Sequence, residues 1–154
     1  TNNGNALVVE RMKCVKIPVY VFSNKDFSNG SLIENSLSYL SIDFIILAGF
    51  LLKIPSKLIA RFPNRIINIH PSLLPKYGGR GMYGSNIHKS VIKNKERFSG
   101  ITIHYVNTNY DEGEVIFQKK CDISFDENID SLSKKIAFLE KEHFPKLIEK
   151  TLLK

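Results

Sequence analysis

Asn68 and His70 stand two residues apart in the stretch Asn68-Ile69-His70-Pro71-Ser72-Leu73-Leu74-Pro75. Arg65-Ile66-Ile67 before them reads as a short buried strand, which the prolines and serine then stop. Residues at i and i+2 of a strand point the same way, and ligands of α/β sheets bind at the carboxyl ends of strands. An amide and an imidazole sharing a strand end therefore suggest a site. Asp111 lies in the polar, turn-prone stretch Asn107-Thr108-Asn109-Tyr110-Asp111-Glu112-Gly113, where Gly113 would let the backbone approach a ligand closely. If that loop folds over the strand end, a carboxylate, an imidazole and an amide converge. Asp111 would then raise the pKa of His70 and favour its cation, and Asn68 would donate a hydrogen bond to a developing oxyanion. Each residue taken singly has a plainer reading, His70 as a satisfied structural histidine and Asp111 as an Asx-turn residue.

The elements that must position these groups are legible as periodicity. Leu7, Val8, Met12 and Val15 have helical spacing, Val19 to Phe22 is strand-like, and Leu32, Ile33, Leu37 and Leu40 return to helical spacing. Ile42 to Ala48 is a continuous apolar run of the kind a parallel sheet buries on both faces. Pro55 opens a short helix, Arg65 to His70 is the next strand, and Asn86 to Ile92 another helix. Ile101 to Val106 and Val115 to Ile123 read as antiparallel strands joined by the loop that carries Asp111. A long helix closes the chain, with Ile129, Leu132, Ile136, Leu139, Leu147 and Ile148 at threes and fours and Asp126 or Asn128 as its cap. The remaining polar features read as packing or solvent: His88 and His104 as core or surface, Glu140 as a solvated charge, Phe50-Leu51-Leu52 as core. The run Gly78 to Gly84 lacks phosphate-loop or dinucleotide spacing and reads as a mobile loop.

Composition narrows the function class. The chain has 154 residues, 43% hydrophobic and 24% charged, which fits one globular domain. Its net charge of +7 permits attraction to anions, but the lysines and arginines are spread among acids and apolar residues, with no aromatic-interleaved basic groove for nucleic acid. Cys14 and Cys121 have neither disulfide-framework nor metal spacing. Phe44 to Leu52 is too short to span a bilayer and no leader is visible, so a cytoplasmic protein with no membrane partner is expected.

Three motifs in order carry a resemblance. Leu47-Ala48-Gly49-Phe50, then Asn68 to Tyr77, then Gly100 to Val106 with Asp111-Glu112-Gly113 resemble the folate-dependent formyltransferases, and among them the phosphoribosylglycinamide formyltransferase family. Formyltetrahydrofolate deformylases tend to carry a second His where Pro71 stands, and methionyl-tRNA formyltransferases an Ala there, so Pro71 and Lys76-Tyr77 favour the glycinamide ribonucleotide enzymes. The resemblance implies an α/β fold, a formyltransferase-type Rossmann-like and mainly parallel sheet flanked by helices, with a C-terminal antiparallel strand pair and a long last helix, in a single domain over 1–154. It implies transfer of a formyl group from 10-formyltetrahydrofolate, as co-substrate and without a metal, to the amine of glycinamide ribonucleotide in purine biosynthesis, by a monomer or homodimer. His70 would serve the tetrahedral intermediate and the proton transfer with Asn68, and Asp111 would tune His70. The pterin would lie against Leu51, Leu52, Lys53 and Ile54, with Asn68 and the backbone of Asn107, Thr108, Asn109, Tyr110 and Asp111. Substrate would be bound by the main chain of Ile69 and Pro71 and by Glu140. Glu142 is the alternative, because Glu142-His143 resembles the family's Glu-His pair while the distance to Pro145 favours Glu140.

The resemblance also implies a departure. Family members begin with a strand, a phosphate-holding loop, a helix and a second strand, a unit of roughly 30 residues, and Thr1-Asn2-Asn3 matches the segment after it. In family topology that first strand pairs with the one at Phe44 to Ala48, so an unpaired apolar edge is expected. The chain then reads as a fragment, as one that pairs with a separately encoded piece, or as a truncated folate-binding protein without catalysis.

Overall fold

The computed structural model describes residues 1–153. Four strands form one sheet in the order β1-β2-β3-β4, with β1 at Ile45–Leu47, β2 at Ile66–His70, β3 at Phe98–Tyr105 and β4 at Val115–Asp122. β1 runs parallel to β2, while β2 to β3 and β3 to β4 are antiparallel. The expected α/β fold stands, with β1–β2 as its parallel pair and β3–β4 as the expected C-terminal antiparallel pair, while β3 also lies antiparallel to β2 and makes the sheet mixed. β3 returns beside β2 in the opposite sense, and a two-stranded hairpin completes the sheet.

Among the described residues six helices flank it: α1 at Leu7–Cys14, α2 at Asn24–Asn29, α3 at Ser31–Tyr39, α4 at Ser56–Arg61, α5 at Ser85–Lys93 and α6 at Ile129–Leu152. Alternation of side chains divides the central strands into two faces. Ile67, Ile69, Ile101 and Ile103 pack with Ile87 and Val91 of α5 and with Leu132, Ile136, Leu139 and Phe144 of α6. Each such fully buried side chain contributes roughly 1.5–3 kcal/mol of transfer free energy. A second cluster joins Ile66 to Leu58 and Phe62, with Phe27, Ile33 and Ile54. Asn128 starts α6 by accepting from the amides of Asp130 and Ser131 at 3.0 and 2.9 Å, while Ser131 Oγ accepts from the Asn128 amide, a reciprocal capping box.

Several sequence expectations are corrected. Val19 to Phe22 forms no strand; it is extended backbone tied to the first residue, with the Thr1 amine donating to Tyr20 O and the Phe22 amide to Thr1 O. β1 is three half-buried residues rather than a run buried on both faces, because it has a ladder partner on one side only among the described residues. Leu51 is 54% exposed and not core. Helix α2 went unforeseen, although Ser23 and Asp26 form its capping box. No helix among the described residues is long and apolar enough to cross a membrane.

Gly113 has a different task from the one its sequence position suggests. A Cβ there would lie 1.7 Å from Tyr105 O, so the glycine admits the backbone of β3, not a ligand, and lets the Tyr105 amide donate to Glu114 O at 2.9 Å. Gly113→Ala must splay the hairpin that carries Asp111. The expected loss is of order 3–5 kcal/mol of folding free energy, read by urea denaturation.

Candidate active site

The antiparallel register of β2 and β3 sets Asn68 opposite His104 and His70 opposite Thr102. These four polar side chains share one face of the sheet, the face opposite the isoleucines. One residue further along the hairpin the register with β4 shifts, Ile103 pairing with Phe117 but His104 with Val115, so Ile116 is the extra residue of a bulge.

Hydrogen bonds assign the protons. His104 Nδ1 faces the Tyr105 carbonyl at 2.8 Å, and a carbonyl only accepts, so Nδ1 carries the hydrogen. Its bare Nε2 accepts from Asn68 Nδ2 at 3.2 Å, which uses one of the two N–H groups of that amide. Burial holds His104 below the usual histidine range, against the opposing pull of its Tyr105 bond and of Asp111. His70 is 4% exposed, and its Nε2 donates to the Tyr77 carbonyl at 2.8 Å. That leaves Nδ1 facing Asp111 Oδ1 at 3.6 Å, while the same oxygen stands 3.7 Å from His104 Nε2. Asp111 Oδ2 accepts from the Gly79 amide at 2.8 Å. Asp111 itself has φ 57°, a left-handed backbone that an Asp tolerates better than most residues.

Thr102 stabilises the loop over this face. It is fully buried, donates to Ser72 O at 2.7 Å, and accepts from the Leu74 amide at 3.0 Å and from Gln118 Nε2 at 2.9 Å. Ser72 Oγ in turn donates to Lys76 O at 2.7 Å. The chain is thereby folded back so that Tyr77 O meets His70.

A cleft of ≈ 900 Å³ opens beside these groups. Asn68, Ile69, His70, Pro71, Tyr110 and Asp111 line it, with Leu51 beyond β1 and Glu140 on α6. Of the two acids weighed on α6, Glu140 is the one on the cleft wall, where burial raises its pKa; Glu142 is exposed and sits 4.0 Å from Lys146. The other residues named for the pterin stand away from the cleft wall. Ile54 is buried in the second apolar cluster, Leu52 packs against that cluster, and Lys53 is exposed. Asn107, Thr108 and Asn109 are exposed, with the Asn109 amide donating to Asn107 Oδ1 in an Asx turn. His88 and His104 read as packing in the sequence, and Thr102 carries no reading there; His88 lines the cleft with its Nδ1 unpartnered, while His104, on one strand face with Thr102, contacts Asn68 and Asp111. Their signal in the sequence is the pair of polar residues at alternate positions within Ile101-Thr102-Ile103-His104-Tyr105.

The depressed pKa of His104 makes stability pH-dependent. Unfolded, the group titrates near 6.5; folded, it titrates lower. The unfolded chain therefore takes up the proton first, so this stability is complete above pH 6.5 and drains as pH falls through the folded value. Chemical denaturation of His104→Gln between pH 7 and 5 should show a shallower pH slope than wild type. His88, which burial also lowers, contributes a slope of the same sign.

Residues 1–148 match the sequence profile described as formyl transferase. The chain is 38% identical over 148 residues to a chloroplastic phosphoribosylglycinamide formyltransferase of Arabidopsis thaliana, covering 93% of this chain and 50% of that protein. With the phosphoribosylglycinamide formyltransferase of Haemophilus influenzae it shares 33% identity over 153 residues, 97% of this chain and 70% of the relative. The chain thus spans about half the length of its plant relatives. Among solved structures, phosphoribosylglycinamide formyltransferase from Bacillus halodurans superposes with a TM-score of 0.89 at 32% identity, over 99% of this chain and 78% of that one. A formyltetrahydrofolate deformylase from Pseudomonas syringae shares the fold, with a TM-score of 0.78 at 21% identity. Profile, relatives and superposition point the same way, and the chain belongs to the formyl transferase family.

Proposed function

We propose that this chain carries formyl transfer from 10-formyltetrahydrofolate to the amine of glycinamide ribonucleotide. The observation that supports this reading best is the convergence of Asn68, His70, Asp111 and Glu140 on one cleft. The volume lies within the roughly 300–1,000 Å³ common for small-molecule sites. Leu51 and Met82 offer apolar surface for a flat heteroaromatic ring beside the polar groups.

The donor supplies an acyl carbon at the formate oxidation level; what the protein must supply is charge stabilisation and proton transfer. When an amine adds to a formyl carbon, the oxygen gains negative charge and the nitrogen must lose a proton. Asn68 has one N–H occupied by His104 and a second free to donate to that oxygen. His70 has Nε2 committed to Tyr77 O, so Nδ1 is the nitrogen that takes and returns the proton. Asp111, held in place by the Gly79 amide, sets its negative charge beside Nδ1 and favours the imidazolium while it exists. His104 stays neutral, accepts from Asn68 and fixes the amide's orientation. Glu140, whose pKa burial raises, offers a hydrogen-bonding group to the acceptor's hydroxyls or amine.

Steady-state assays of formyl transfer test this. His70→Ala should lower kcat by about 10²–10⁴-fold, the usual worth of general acid–base catalysis. Asn68→Ala should lower it by about 10²–10³-fold, the worth of one oxyanion donor. Release of formate to water with no amine product, or folate binding without turnover, would refute the assignment of the acceptor or of the chemistry respectively.

Glu140 yields a coupled expectation. Its folded pKa lies above the unfolded value near 4.5, so the folded chain holds that proton more tightly. The associated stability is present below pH 4.5 and is lost as pH rises, and at pH 7 the charged carboxylate opposes folding. Glu140→Gln should therefore melt higher than wild type at pH 7, with the gap closing toward pH 4.5, while the KM for the amine acceptor rises.

A further inference from the structure

The carbonyl that receives the His70 Nε2–H belongs to Tyr77, whose φ is 58°. A bulky L-residue keeps this left-handed conformation only where its surroundings hold it there. The next residue shows how tightly the chain is laid. A Cβ on Gly78 would meet Leu74 Cδ2 at 2.6 Å and Asp111 Cβ at 3.2 Å. Gly79 then donates its amide to Asp111 Oδ2. Three consecutive residues, 77–79, thus hold both members of the imidazole–carboxylate pair, His70 by a carbonyl at one end and Asp111 by an amide at the other.

This strap is fastened from outside the cleft. The Tyr77 hydroxyl donates to Glu96 Oε1 at 2.9 Å and accepts from Asn94 Nδ2 at 2.9 Å. Lys76 Nζ donates to the two oxygens of the same carboxylate at 2.9 and 3.3 Å. Glu96 sits in the turn that follows α5, where its amide donates to the carbonyl of the buried Val91. The Lys76 pair is exposed and contributes little alone. The hydrogen-bonded Tyr77 hydroxyl is the part-buried member of the clasp.

We infer that Glu96 is a positioning residue for the reacting imidazole. By clasping Lys76 and Tyr77 it keeps the Tyr77 carbonyl on His70 Nε2, which fixes the tautomer of His70 and turns Nδ1 toward Asp111. Glu96 lines a separate, smaller pocket on the far side of the loop and touches no reacting group. Without the clasp Tyr77 relaxes out of the left-handed region, its carbonyl turns away, and His70 distributes its proton over both nitrogens. The catalytic consequence rests on the proposed formyl transfer; the tautomer consequence does not.

Nitrogen-15 spectra of the His70 imidazole test the inference directly. In the wild-type chain at alkaline pH, Nε2 should be the protonated nitrogen. Glu96→Ala and Tyr77→Phe should each give a mixed tautomer signature, whereas Glu96→Gln, which still accepts from the Tyr77 hydroxyl, should restore most of the wild-type pattern. Formyl transfer by Glu96→Ala should fall by about 10- to 100-fold in kcat, with KM unchanged and the pH profile displaced. A wild-type tautomer signature in Glu96→Ala overturns the inference. Should that variant not fold, Tyr77→Phe decides in its place by the same signature. A wild-type chain without turnover defeats the proposed function and leaves the spectroscopic result to decide this inference alone.

Discussion

The chemistry of the cleft depends on the antiparallel register between β2 and β3. Because strand side chains alternate, a slip of β2 by one residue against β3 would exchange Asn68 and His70 for Ile67 and Ile69 across the sheet. The isoleucines are buried against α5 and α6, and no polar partner waits for an amide or an imidazole among those helices' apolar side chains. A buried polar group without a partner costs about 1–3 kcal/mol by mutational measures, so turning both of them inward opposes the slip. The apolar face thus sets the alignment that the polar face uses. Site and core share one constraint.

Within that frame the two imidazoles facing Asp111 are made unlike each other. His104 is tied down at both nitrogens, by a carbonyl it donates to and an amide it accepts from, and burial keeps it neutral. His70 is tied at one nitrogen only. A carboxylate between two histidines could share its influence, but only His70 has a nitrogen free of any hydrogen-bond partner. The division follows from which backbone carbonyl each ring meets.

Much of this was legible in the sequence, and the gaps have physical causes. The strand at Ile66 to His70, the hairpin around Asp111 and the long helix from Ile129 announce themselves through β-branched runs and three-and-four spacing, which are local properties. Asn68 and His70 stood out because two prolines end their strand. His104 and Thr102 did not, because a polar residue in an apolar strand acquires meaning only from the strand beside it, and pairing is non-local. The direction of β3 and the failure of Val19 to Phe22 to enter the sheet are likewise properties of partners. Glu140 could be separated from Glu142 only by its distance to Pro145 in a family pattern; the helix places Glu140 on the cleft and Glu142 toward Lys146. The left-handed Tyr77 left no trace at all, since nothing in its residue type announces that backbone.

The shortness of β1 gives the cleft two mechanically different walls. Among the described residues β3 carries six consecutive buried residues and is laddered on both sides, whereas the three of β1 are half-buried and laddered on one. Local opening free energies follow burial and backbone pairing, so within the described residues they rise across the sheet from β1 toward β3. The groups proposed for proton transfer and oxyanion stabilisation hang on the stiff side, and Ala48 to Leu51, which follow β1, form the yielding side. A bound ring would order that compliant edge, and a share of its binding energy would be spent as conformational entropy there, leaving the geometry of His70 and Asn68 undisturbed.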